Sequence, residues 1–310
     1  MWSLFFEGLF HTVLIDVALR ITSGSQVKLG RCRLMNDDSV LVRPDLSLYA
    51  VADGAGRGGH IASTIAVSAI GEYFERARRG NPAYDVDAFG NFAGARRLAA
   101  AIHHANEQIV SLAHNSIEYR LMGSTVAACA FSPSIGYMHT AGIGDSRCYR
   151  LRGAVLEQLT DDDSLLQDAI ALRPDMRDDE LAALPTHLVT RVLGSREGLR
   201  VYTRTFEVLP GDRILLCSDG LTNSLAIEVL REVMREESDP ERATAELIEC
   251  ARAERAEDNV AVIILDCSIP SGASLRAPRR APKPAPIEHD AERVTELPLT
   301  TLEPIPFRVS

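Results

Sequence analysis

Leu48–Gly59 reads LYAVADGAGRGG, and Arg213–Leu221 reads RILLCSDGL. In both, a short apolar run ends abruptly in Asp-Gly. An apolar run of this length, bounded by glycine, is the pattern of a buried strand. An aspartate at the end of such a strand is held rigidly at the edge of a sheet. A single Asp-Gly pair there is an ordinary turn. Here the arrangement recurs: Asp145 follows HTAGIG, Asp258 opens DNVAVIIL, and Asp37 and Asp38 precede SVLVR. That recurrence asks for a common cause.

Clustered carboxylates repel one another unless a cation holds them. Hard divalent cations such as Mg²⁺ and Mn²⁺ take oxygen donors of this kind, with waters filling the remaining positions. Gly54, directly after Asp53, lets its backbone carbonyl approach an ion closely. A competing motif overlaps the same residues. Gly54, Gly56 and Gly59 match the G-x-G-x-x-G dinucleotide fingerprint. Asp53 would then stand beside a pyrophosphate, and the region about twenty residues on, YFERARRG, reads as a helix end without the acidic ribose ligand. The dinucleotide reading is set aside. DDDSL at Asp161 resembles a D-x-D phosphoryl-transfer signature but reads as the opening of a helix.

Working outward, strand-like segments fall into groups: VALRIT, SVLVR and LSLYAVAD, then STVAACAFS, IGYMHTAGIGD and SRCYRLRGAVLEQLT, then RVYTRTFEVLPGDRILLCSD and NVAVIILDC. LRGAVLE and VLPGDRI carry hairpin-like turn chemistry. Helical patterns lie between the groups, over 61–79, 95–115, 224–236 and 239–255, the last with Asp239 as N-cap and Pro240 at the first helical position. Helices do not alternate singly with strands, which argues against a doubly wound sheet. The expected fold class is α+β: a four-layer α-β-β-α sandwich of two antiparallel sheets flanked by helix pairs.

The 310 residues are 46% hydrophobic and 25% charged, which suits a soluble globular chain with a sizeable core. A net charge of −10 makes the chain a poor grip for a phosphate backbone, so no nucleic-acid partner is expected. The six cysteines, Cys32, Cys129, Cys148, Cys217, Cys250 and Cys267, form no C-x-x-C pair. They read as reduced core thiols of a cytoplasmic protein. None is followed six positions later by Arg, which excludes the thiol-phosphatase signature. The N-terminal MWSLFFEGLFHTVLI lacks a basic flank and a cleavage site and is too short to span a bilayer, so no membrane association is expected. The expected organisation is an N-terminal extension over 1–15, a folded domain over 16–267, and a disordered Pro/Arg-rich linker and tail over 268–310.

In order, the chain carries G-x-x-R-x-x-N-D-D-S (Gly30–Ser39), VADGAG, GST (Gly123–Thr125), GDSR (Gly144–Arg147), LT-x-D with Ser164, GD-x-x-LLCSDGLT and DN-V-x-V. This series resembles the metal-dependent serine/threonine protein phosphatases, the type 2C or PPM class, from about Gly30 to Leu265. The resemblance implies two Mn²⁺ or Mg²⁺ ions, with a weaker third, in a cleft at one end of the sandwich. It implies that Asp53 bridges both metals, that the Gly54 carbonyl binds the second, and that Asp219 and Asp258 bind the first. Asp37 takes the place of a family Glu at the second metal, with Asp38 beside it among the ligands, and Asp145 serves the third. Arg33 grips the substrate phosphate, so Arg33, Asp53 and Asp219 are the expected catalytic residues. The implied reaction is attack on phosphorus by a water acidified between the metals. The implied partners are a phosphorylated protein substrate and an opposing Ser/Thr kinase with its targets. A monomer is expected.

The chain departs from the family at several points. Asp37 is one methylene shorter than Glu. Asn223 stands where an Asp is common, and Asp163 where a His is usual. The glycine-rich loop is altered, which displaces His60; a surface or capping role fits His60 better than general acid. Ser124 and Thr125 read as structural. His103, His104, His114, His139 and His187 have no ligand-like pairing. Ser164–Pro185 lies where the family carries a variable flap beside the cleft. Thr295, Thr300 and Thr301 are candidate tail phosphosites. These departures keep open a second reading, an inactive phosphatase-like protein that binds a phosphorylated partner.

Overall fold

A computed structural model describes residues 19–78, 92–132, 136–185, 188–195 and 199–270. The N-terminal extension, His187 and the three tail threonines lie outside them. One sheet has the strand order β1 (Arg20–Lys28), β11 (Val260–Ser268), β10 (Arg213–Cys217), β7 (Arg147–Arg152), β8 (Val155–Gln158). The other runs β2 (Asp38–Arg43), β3 (Leu48–Ala55), β5 (Val126–Ser132), β6 (Tyr137–Ile143), β9 (Thr203–Glu207), with the short β4 (Gly123–Ser124) beside β3. The neighbours in both sheets pair antiparallel.

Side-chain alternation explains the layers. Along β3, Leu48, Ala50 and Ala52 pack outward onto the long helices α1 (Gly59–Arg78) and α2 (Ala93–Asn115). Tyr49 and Val51 point the other way, into the slab between the sheets. Along β11, Val260, Val262 and Ile264 face the short α5 (Asp219–Thr222), α6 (Ile227–Glu236) and α7 (Pro240–Ala253), while Ala261, Ile263 and Leu265 join Tyr49 and Val51 in the middle slab. Strands apolar on both faces are what the unbroken hydrophobic runs announced. Each fully buried Leu or Ile contributes roughly 1.5–3 kcal/mol. The four-layer sandwich therefore stands.

Some local expectations are corrected. VLPGDRI does not close a hairpin: β9 pairs with β6 and β10 with β7 and β11, so the turn at Gly211 carries the chain from one sheet to the other. LRGAVLE does form one, β7–β8, with Gly153 at φ +59°. β1 continues through the polar Ser23–Lys28 as an edge strand. The flap region contains α3 (Leu165–Leu172), capped by the Ser164 hydroxyl, and the short α4 (Asp178–Ala182). Cys129, Cys148, Cys217 and Cys267 are buried thiols, Cys250 is half-buried, and Cys32 is exposed, contrary to the core reading.

Candidate metal centre

Asp53 lies on β3 of one sheet and Asp219 follows β10 of the other, so the two meet only because the sheets stack. A cleft of about 950 Å³ opens at that edge, lined among others by Arg33, Asp37, Asp53, Asp145, Asp219 and Asp258. Gly54 and Asn223 also line it; His60 does not.

The acidic residues are held tightly. Asp38 and Asp53 stand directly opposite each other in the β2–β3 register. Like charges so placed destabilise a sheet. Burial pushes the Asp38 carboxyl up to about 7, helped by the charges of Asp219 and Asp258. Its Oδ2 accepts the Ser218 hydroxyl at 2.7 Å, a bond from one sheet to the other, but its buried Oδ1 has no donor among the described residues. Asp53 is also raised well above the carboxylate range, first by burial and then by Asp38 and Asp219. Its backbone is pinned on both sides: Thr125 Oγ1 accepts from Asp53 N–H (3.1 Å), and Asp53 C=O accepts from Thr125 N–H (2.8 Å) and the Ser124 hydroxyl (3.1 Å). Thr125 Oγ1 also bonds Ser146 Oγ at 2.7 Å, next to Asp145. Asp145 is buried and is pushed up to about 7 by burial and the nearby Asp219 charge.

The remaining site residues have local partners. Asp37 Oδ1 accepts from His60 N–H at the start of α1 (2.8 Å), and Asp37 C=O accepts from Gly54 N–H (3.0 Å). A Cβ at Gly54 would lie 2.0 Å from the Gly59 carbonyl, so only glycine permits this approach. The His60 ring stands 3.8 Å from the same Asp37 oxygen. Asp258 accepts from Arg33 Nη2 at 2.5 Å and from Asn259 N–H at 2.7 Å. Asp219 Oδ2 accepts from Asn223 Nδ2 at 3.0 Å. An ionised Asp at position 223 could not make that bond.

Among the described residues no three His, Cys, Asp or Glu side chains close on one point as a complete cage. Hard cations that keep several waters need only one or two carboxylates each. An orphaned buried Asp38 oxygen, opposed carboxylates raised by burial, and a glycine carbonyl at the edge fit that donor set.

Residues assigned no supporting role from sequence also hold this edge. Asp163 N–H and Oδ2 clasp Gly144, which sits at φ +89° before Asp145, while Asp163 Oδ1 pairs with Arg191 at 2.6 Å. Arg147 pairs with Asp162 at 2.6 Å. Ser218 had a signal, a hydroxyl directly before a strand-end aspartate. The Asp163–Arg191 pair, 28 positions apart, had none.

The family profile described as "Protein phosphatase 2C" matches residues 31–262. The "Serine/threonine phosphatase stp" of Listeria monocytogenes is 28% identical over 242 residues, covering 76% of this chain and 92% of its own. The catalytic domain of the serine/threonine protein phosphatase PstP, solved in complex with two manganese ions, superposes with a TM-score of 0.68 at 28% identity, over 81% of this chain and 99% of its own. The PPM Ser-Thr phosphatase MsPP of Mycobacterium smegmatis, in complex with cacodylate, gives 0.64 at 31% identity, over 79% and 97%. With the profile spanning most of its length and the strand-end aspartates gathered in one cleft, the chain belongs to the protein phosphatase 2C family.

Proposed function

We propose that this metal-dependent serine/threonine protein phosphatase hydrolyses phosphoserine and phosphothreonine in proteins at the Asp53–Asp219 edge. The observation that carries the reading is the pair of opposed carboxylates, Asp38 buried and Asp53 half-buried at the cleft, into which Arg33 also opens. Asp53, the Gly54 carbonyl, Asp219 and Asp258 would hold two Mn²⁺ or Mg²⁺ ions, with Asp37 and Asp38 supporting the second and Asp145 a weaker third. When bound, the ions offset the carboxylate charge and acidify a water near phosphorus.

The chain's own residues do the rest. Arg33, half-exposed at the mouth, presents a planar fork suited to two phosphoryl oxygens, and its bond to Asp258 raises its pKa further, so it is always charged. Ser218, Thr125 and Asn223 fix Asp38, Asp53 and Asp219 before substrate arrives, so no reorganisation is needed during the reaction. The folded domain of this reading is 16–267, acting as a cytoplasmic monomer against the products of a Ser/Thr kinase. Among the described residues no helix is long and apolar enough to cross a membrane.

The test is hydrolysis of a phosphothreonine peptide with Mn²⁺ or with EDTA, beside an Asp219→Asn variant. Turnover that needs Mn²⁺ and falls on the order of a hundredfold or more in the variant is expected. A folded, Mn²⁺-loaded protein that retains the peptide without turnover would leave phospho-dependent binding as the function.

A further inference from the structure

The catalytic cleft has a neighbour. A cavity of about 360 Å³ opens between the end of β1 and the last turn of α7, and Ala256 and Asp258 line both it and the cleft. The wall between them is stitched by backbone. Arg31 N–H and Cys32 N–H donate to the carbonyls of Ala256 (3.3 Å) and Glu257 (3.0 Å), and Gly30 N–H donates to Asn259 Oδ1 (3.1 Å). One short segment therefore delivers Arg33 to the cleft and Arg31 to the second cavity.

The floor is apolar, from the buried Ile248, Ala251 and Val260, with Leu29 exposed at the rim and the charges around it. Both carboxylates in the lining are already committed. Glu249 is held by Arg252 Nη1, 2.9 Å from each oxygen, and Asp258 by Arg33 at 2.5 Å. The side chains of Lys28 and Arg31 have no ion-pair partner among the described residues. In a chain of net charge −10, Lys28 and Arg31 are two cations at this cavity whose charge no ion pair among the described residues offsets. A long acidic side chain suits this shape: its carboxylate meets Lys28 and Arg31 while its methylenes cover the floor.

We propose that this cavity is an accessory subsite for a glutamate or aspartate of the substrate protein, flanking the phosphoresidue held at Arg33. The phosphatase reading supplies the neighbour in the cleft; the subsite itself rests on the second cavity. It makes the enzyme selective for phosphorylation sites in acidic surroundings. The contacts are solvent-facing, so the selectivity fades as salt rises.

The experiment uses three labelled phosphothreonine peptides, flanked by Glu, Gln or Lys, with the wild type and a Lys28→Glu/Arg31→Glu variant. Peptide KM with Mn²⁺, hydrolysis of p-nitrophenyl phosphate, and peptide binding by fluorescence anisotropy are measured on each. The wild type is expected to show a KM roughly fivefold lower for the Glu than for the Gln peptide, the scale of two exposed ion pairs. The double variant loses or reverses that order while hydrolysing p-nitrophenyl phosphate as before. Equal KM values in the wild type, or an acidic preference that survives the double substitution, overturn the subsite. Absence of all turnover with Mn²⁺ would sink the phosphatase reading instead; the anisotropy contrast between Glu and Gln peptides then still decides the subsite.

Discussion

One strand, β10, has a charge at each end, Arg213 buried and Asp219 half-buried, and the two ends are built on opposite plans. At its start, Arg213 uses all five N–H donors: Asp266 takes two, at 2.5 and 2.8 Å, and the carbonyls of Met234, Glu237 and Ser238 at the end of α6 take the rest. A cation there also meets the negative end of a helix. Just past the other end, Asp219 sits in the company of Asp38, Asp53 and Asp145, and the Asp38 Oδ1 has no donor among the described residues. A buried charge whose bonds close within the chain holds the fold together. Buried charges kept in like company cost stability and are explained by something that binds.

Breaking each end separates these roles. Asp53→Asn should abolish Mn²⁺-dependent turnover, by on the order of a hundredfold or more. The metal-free variant should melt no lower than the wild type, because Asn keeps the shape of the carboxyl and removes the cost of ionising it beside Asp38. Arg213→Met should do the reverse: about 3–5 kcal/mol of stability lost, with Asp266 left unpaired, and kcat of the folded fraction nearly unchanged. Thermal melts with EDTA alongside kinetics with Mn²⁺ check both. A collapse of the metal-free Asp53→Asn fold would end the distinction.

Two kinds of buried titratable group respond to pH with opposite sign. Asp38 and Asp145 have folded values of about 7, above the unfolded aspartate value, so the stability they give is complete below about 4 and is lost as pH rises through 7. Metal binding should restore it, so the rise in Tm on adding Mn²⁺ should be larger at pH 8 than at pH 5. His139 is the counter-case. Buried between Ser132 Oγ (3.1 Å) and Thr205 Oγ1 (2.9 Å), it is lowered by burial to about 4. The unfolded chain protonates it near 6.5, so stability falls as pH drops from about 6.5 to 4, by roughly 3 kcal/mol in all. In His139→Gln that acid slope should flatten, as urea titrations across pH would record.

How much of this could be read from sequence follows the same divide. β3, β5, β10 and β11 were legible because both faces are buried and their apolar runs are unbroken. The second half of β1, SGSQVK, was not, because an edge strand half open to water needs no such run. The turn at Gly211 looked like a hairpin because turn chemistry is local, whereas the choice of sheet for β9 and β10 is made by packing. α3 was announced only by its opening at DDDSL, and α4 is too short to show a period. At the site, the aspartates stood out at strand ends. The roles of Ser218, Asn223 and Asp163 depend on which residues the sheets bring opposite them.

Asp163 gives the smallest and sharpest test, because it belongs to both plans. Its carboxylate is satisfied, by Gly144 N–H and Arg191, yet the turn it clasps presents Asp145 to the cleft. Its carbonyl accepts from Thr190 N–H at 2.8 Å, and the neighbouring Ser124 and Leu193 exchange backbone bonds at 3.1 and 2.8 Å. The stretch just after the flap segment is thereby tied to the Asp145 turn at one side and, through Ser124, to the Asp53 strand at the other. If the tie only holds the fold, Arg191→Gln should cost about 1 kcal/mol and leave kinetics alone. If it positions the site, the same change should raise peptide KM and the Mn²⁺ concentration for half-activation together, by about threefold, with p-nitrophenyl phosphate turnover at saturating Mn²⁺ preserved. We expect the second outcome, because the pair is mostly buried, at 24% and 15% side-chain exposure, and its loss would free a turn that carries a carboxylate among like charges.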